Sequence, residues 1–162
     1  MRRVHLLLLR VYRRLPTVGR RFVVRRITPS YTVGAICVVE RSDGAILLVR
    51  HSYRREWGFP GGLLQRGEEA VDGARREALE EIGLEVEVLG EPAVVVDAEP
   101  RRVDVVFRCG PAPGTDPGSL RPRSPEIVEV RWFPGSSLPE LQFEASQALV
   151  ALARTASLRV RR

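Results

Sequence analysis

Lysine is absent from this chain of 162 residues: all 26 basic side chains are arginine. That usage reflects a genome rich in G and C more than it reflects a function. Cysteine is scarce as well, with Cys37 and Cys109 far apart and at no metal-ligand spacing. Such a pair is expected as buried free thiols in a reducing cytosol, not as the staple of a secreted scaffold. No stretch approaches the roughly 20 apolar residues needed to cross a bilayer. The longest early apolar run is Leu6 to Leu9, and no small-residue cleavage site follows it, so a secretory signal is not expected either. Internal repeats and low-complexity tracts are also missing. What remains is ordinary for one soluble domain with a real core, 44% hydrophobic and 28% charged, and a cytoplasmic location is the expectation.

The net charge of +6 conceals an uneven distribution. Residues 1–27 hold nine Arg and no acid, and residues 154–162 hold four Arg and no acid. The other 13 Arg sit among all 20 acids, so the middle of the chain carries −7. The organisation expected is a basic amphipathic extension over 1–27, a folded domain over 28–156 and a basic tail over 157–162. Within the extension, Val4, Leu7, Leu8, Val11 and Leu15 recur at helical spacing, and Pro16 should end that helix. The stripe can pack on the domain or on a second subunit as a homodimer, or lie on an anionic membrane surface. It is short and lacks Trp, which favours packing. Nine Arg with one Tyr and one Phe are a thin basis for nucleic-acid binding.

From Tyr31 onward the pattern changes to Val- and Ile-rich runs. Tyr31 to Glu40 and Ala45 to Arg50 flank a turn at Ser42-Asp43-Gly44 and read as a hairpin. A glycine-rich loop spans Trp57 to Gly67, a helix Glu68 to Ile82, and Gly83 is its natural stop. Leu84 to Leu89, Ala93 to Asp97, Val103 to Cys109 and Ile127 to Phe133 read as strands, with a Pro/Gly-rich loop from Gly110 to Pro125. A last helix is expected from Pro139 to about Arg154. The fold class is α/β, a sandwich of helices on a mixed sheet.

The central helix carries an arrangement that folding alone does not favour. Glu77, Glu80 and Glu81 stand at i, i+3 and i+4 and share one face. Like charges at that spacing destabilise a helix by a few tenths of a kcal/mol per pair. Glu80 and Glu81 also lie just before the stop, where the helix dipole disfavours negative charge. A hard divalent cation reverses the sign of these terms, since Mg²⁺ takes oxygen ligands and commonly shares them with phosphates. Upstream, Gly61, Gly62 and Gly67 let the backbone bend and approach a bound group. Gly73 inside the helix costs about 1 kcal/mol relative to Ala and points to close packing against the sheet.

The stretch Gly62-x5-Glu68-x7-Arg76-Glu77-Ala78-x-Glu80-Glu81-x-Gly83-Leu84 resembles the complete Nudix box, G-x5-E-x7-R-E-U-x-E-E-x-G-U with U a bulky aliphatic. All seven fixed positions match, which happens by chance on the order of once in 10⁸ windows at average residue usage. Ala78 is smaller than the usual aliphatic. The resemblance implies the Nudix α/β/α sandwich with a mixed sheet, and water attack on a diphosphate in a nucleoside diphosphate linked to another group. It implies that Glu77, Glu80 and Glu81 hold Mg²⁺, or Mn²⁺, with the Gly61 carbonyl as a further ligand and Glu68 near the metals. Glu77 is alternatively the base that deprotonates the attacking water, and Arg76 orients the glutamates. The competing reading is a non-catalytic Nudix-like module that binds a nucleotide, although such domains commonly lose a glutamate that this chain keeps.

Outside the box, Glu126 is a candidate further ligand or the base, since some Nudix enzymes carry an acid near this point on a loop facing the helix; the alternative is a solvated strand-edge glutamate. Arg50, His51, Arg54 and Arg55 are candidates for phosphate, while Trp57 and Phe59 are expected as core or loop anchors. Pro100 lies sixteen residues after Leu84, as a Pro does in ADP-ribose-cleaving members, but Arg101 and Arg102 do not continue that signature. A small-molecule nucleotide is the expected partner, and the sequence leaves its identity open.

Overall fold

Six consecutive buried residues, Gly34 to Val39, run through β1 (Thr32–Val39) in the computed structural model of the protein, which describes residue 13 and residues 16–118 and 120–160. Their side chains alternate between two cores. Ala35, Cys37 and Val39 join one cluster, and Ile36 and Val38 the other. A strand buried on both faces needs apolar residues at every position, which explains the continuous run.

Around β1 lie β2 (Ala45–His51), β3 (Gly61–Leu63), β4 (Val86–Val88), β5 (Ala93–Asp97), β6 (Arg102–Pro111) and β7 (Ile127–Pro134). One sheet has the order β3-β1-β6-β4, with β5 also on β6; β1 and β6 are parallel and the other pairs antiparallel. β2 and β7 form a separate antiparallel pair. Of the helices, α1 is Thr17–Ile27, α2 Ala70–Ile82 and α3 Phe143–Val160. Ala74, Ala78 and Ile82 of α2 enter the first core, while Ala145, Ala148 and Leu152 of α3 enter the second. The result is the expected α/β/α sandwich with a mixed sheet. Leu47, Leu48, Ile82 and Leu84 are fully buried, each contributing about 1.5–3 kcal/mol.

Several local expectations are corrected. The turn at Ser42-Asp43-Gly44 forms, with Gly44 at φ 80°, yet β1 and β2 share a single bridge, Glu40 with Ile46. Both edges of β1 are already taken by β3 and β6, so β2 pairs with β7 instead. Gly61 to Leu63, read as loop, is a short strand, because a glycine at 61 can approach β1 closely: a Cβ there would overlap the Ala35 carbonyl oxygen. The last helix begins at Phe143 instead of Pro139. Trp57 donates to the Glu140 carbonyl and accepts from the Gln142 N–H (2.9 and 2.8 Å), which holds residues 140–142 extended. Gly73 packs against Leu64 and Glu68 instead of the sheet.

A break between Tyr31 and Thr32 divides the chain into two compact units. In the first, α1 starts after Pro16 and ends where Thr28 donates to the Val24 carbonyl. The sequence reading gave no helix there. The helix expected over Met1 to Leu15 lies outside the described residues except for Arg13.

Candidate active site

The end of α2 fixes the direction of the acidic face. Gly83 adopts φ 72°, its N–H donates to the Leu79 carbonyl (3.0 Å), and the Leu84 N–H donates to the Ala78 carbonyl (3.3 Å). The left-handed Gly83 with its N–H on the Leu79 carbonyl is the αL closure that glycine permits. With Ala74, Ala78 and Ile82 buried, the neighbouring positions Glu77 and Glu81 face β3 and the strand's glycines. Gly61 donates its N–H to Glu81 Oε2 (3.2 Å). Beside it, a Cβ on Gly62 would stand 2.6 Å from Glu77 Cδ.

A cavity of about 620 Å³ opens over this contact. Gly61, Glu77, Glu80, Glu81 and Glu126 all line it, so five of the seven site residues expected from sequence come together. Glu68 and Arg76 sit beside the cavity as a brace. Arg76 meets Glu68 through Nε–Oε1 (2.8 Å) and Nη2–Oε2 (3.0 Å), and its Nη1 reaches Glu77 (2.8 Å) and Glu80 (3.1 Å). The Gln65 N–H also donates to Glu68 (2.7 Å). Arg76 foremost, then that N–H, holds the Glu68 carboxyl down at about 2. Three carboxylates raise the Arg76 guanidinium in turn, Glu68 most.

Glu81 is the opposite case. It is 6% exposed, and its carboxyl is pushed up to about 8, first by burial and then by the charges of Glu77, Glu126 and Glu80, against the Gly61 hydrogen bond. A buried carboxylate among other carboxylates lacks positive charge, and such a donor set fits a hard divalent cation. Among the described residues, no three His, Cys, Asp or Glu side chains converge as a ready cluster. The reason is visible in the contacts: Glu77 and Glu80 are turned to Arg76 while Glu81 is turned to Gly61.

Of the other residues expected to meet phosphate, His51 and Arg54 line the cavity. Arg50 instead pairs with Glu129 across the β2–β7 ladder (2.8 Å), and Arg55 is exposed outside the lining. Trp57 packs edge-on against Phe133 (4.9 Å) as an anchor, and Phe59 is buried in the cavity wall. Sequence reasoning missed Tyr53, Arg102, Ser124, Gln142 and Glu144, which also line it. Arg102 is neutralised by the buried Asp104 (2.8 Å). These residues come from distant segments, and no local spacing marks them. Cys37 and Cys109 are buried free thiols, as expected.

Comparison with known proteins matches this geometry. The NUDIX domain family matches residues 30–152. A MutT-like protein of Streptomyces ambofaciens is 33% identical over 116 residues, covering 72% of each chain. The 8-oxo-dGDP phosphatase NUDT18 of Homo sapiens is 30% identical over 115 residues, which span 67% of this chain and 33% of that protein. Among solved structures, a NUDIX hydrolase from Nitrosomonas europaea superimposes with a TM-score of 0.66 at 27% identity, covering 75% of this chain and 69% of that one. This chain belongs to the Nudix family and is a hydrolase of that class.

Proposed function

We propose that this hydrolase cleaves a diphosphate linkage in a nucleoside diphosphate linked to another group, such as a nucleoside triphosphate, ADP-ribose or a nucleotide sugar, with Mg²⁺ or Mn²⁺ as cofactor. The observation that carries the reading is Glu81, a carboxylate 6% exposed in a cavity shared with Glu77, Glu80 and Glu126. Glu77, Glu80, Glu81 and the Gly61 carbonyl would hold the ion, with Glu68 at its edge. When bound, such an ion neutralises phosphate oxygens and lowers the pKa of water.

The protein's own groups do the rest. Arg76 bridges Glu68, Glu77 and Glu80 and so orients two of the proposed ligands. Glu126 takes the proton of the attacking water. Its carboxylate is exposed and has no ion pair among the described residues, whereas Glu77 is already engaged by Arg76 (2.8 Å). As the water oxygen bonds to phosphorus, the anhydride P–O bond breaks and the leaving phosphate departs with its electron pair. Positioning and charge stabilisation carry most of such a reaction.

The human relative's name makes an oxidised purine deoxynucleotide the first substrate to try. The test is metal-dependent turnover that Glu81→Gln removes from a folded protein. Residues 28–156 form the hydrolase domain in this reading, with the basic extension 1–27 and tail 157–162 outside the chemistry. No described helix is long and apolar enough to cross a membrane, and the two buried free thiols support a cytoplasmic setting.

A further inference from the structure

His51 closes β2, and Gln142 immediately precedes α3; both reach the cavity. Gln142 is held on three sides. Its backbone N–H donates to the Trp57 carbonyl (2.8 Å). Its side-chain Nε2 donates to the Glu56 carbonyl (3.2 Å). Its amide lies over Gly58, where a Cβ would stand 2.9 Å from Oε1 and 3.0 Å from Cδ. A side chain at 58 would displace it. Because a carbonyl oxygen only accepts, the Gln142 atom facing Glu56 has to be the amide nitrogen.

That same nitrogen stands 3.2 Å from His51 Nδ1. An amide nitrogen donates and does not accept, so Nδ1 must be the accepting, unprotonated ring nitrogen. A neutral imidazole then carries its proton on Nε2, and an imidazolium would set one N–H against another. We propose that Gln142 is a positioning residue that locks His51 as the Nε2–H tautomer, giving the cavity an uncharged donor for a carbonyl oxygen or ring nitrogen of the substrate's base. This rests on the hydrolase reading of the cavity. It also revises the expectation that His51 meets phosphate, because a phosphate selects the imidazolium that the lock opposes.

The surroundings of the ring work in the same direction on balance. Burial pulls the His51 pKa below its ordinary value, and Arg54 adds to that, while Glu126 and Glu144 pull upward. The Tyr53 ring lies 5.4 Å away, tilted by 43°.

The chain has two histidines, so the His5→Gln protein leaves His51 as the single imidazole, and long-range ¹H–¹⁵N NMR reads its tautomer across pH. The expected result is protonation at Nε2 alone at neutral pH, with titration below the ordinary value. Gln142→Met keeps the bulk and removes the donor. It should give a mixture of tautomers and raise KM for the preferred nucleotide on the order of fivefold, with kcat changed less than about twofold. Gln142→Glu, an acceptor, should protonate Nδ1 and move the titration upward. Protonation at Nδ1 in the parent protein would overturn the proposal without any variant. So would a Gln142→Met protein with tautomer and KM unmoved. Since the tautomer is read without turnover, a locked ring in a protein that hydrolyses no nucleotide would overturn the hydrolase reading, and with it the donor role.

Discussion

The carboxylate of Glu77 occupies the space that a side chain on Gly62 would need, a Cβ there standing 2.6 Å from Glu77 Cδ. The first glycine of the box is therefore a steric requirement of a glutamate fifteen positions later in the same motif. Gly62→Ala should push Glu77 off its contact with Arg76 and lower kcat/KM on the order of 10²-fold. Steady-state kinetics, with circular dichroism to show an intact fold, checks this; a variant with unchanged kcat/KM would mean that the Glu77 position is immaterial.

Glu81 gives a pH dependence with a definite sign. Its carboxyl rises from the ordinary 4.5 to about 8 in the folded protein, chiefly through burial. The folded state keeps the proton where the unfolded chain has lost it. Its contribution is thus fully present below about 4.5 and declines as pH rises toward about 8. In EDTA, Tm should fall across that window, Glu81→Gln should flatten the fall, and added Mg²⁺ should raise Tm most at its alkaline end. Scanning fluorimetry over a pH series decides it, and an identical fall in Glu81→Gln would assign the effect elsewhere.

The box and its strand context were legible because they are local: glycines and acids at fixed spacing on one helix and the loop before it. The separation of β1 from β2 was not legible, since the turn chemistry at Asp43-Gly44 is satisfied whether or not the strands stay paired. Competition from β3 and β6 for the edges of β1 decided that. Gln142, Tyr53 and Glu144 were invisible for a related reason. Gln142 and Glu144 lie beside the bonds that tie Trp57 to residues 140 and 142, a contact between segments more than 80 residues apart, and Tyr53 follows the end of β2.

Arg76 grips Glu68 with two nitrogens and reaches Glu77 and Glu80 with the third. A lysine cannot reproduce that fork. Arg76→Lys should keep the charge yet lose on the order of 10²-fold in kcat, and the Glu68 carboxyl should titrate above about 2. Carboxyl ¹³C NMR and kinetics read the two effects separately. Full activity in this variant would show that charge alone suffices.

Glu126, exposed and free of ion pairs among the described residues, is the proposed base. Glu126→Gln should lower kcat by about 10²–10⁴-fold with KM little changed. If Glu77→Gln shows that signature and Glu126→Gln does not, the proton goes to Glu77.

The most direct test of the proposed chemistry is turnover of a panel of nucleoside diphosphate derivatives, oxidised deoxynucleotides included, by the full chain in Mg²⁺, in EDTA and with Glu81→Gln. The expected result is hydrolysis that needs the metal and disappears in the variant while its fold persists. Hydrolysis at the parent rate by Glu81→Gln would contradict the proposed site, and saturable nucleotide binding without hydrolysis would contradict the proposed reaction.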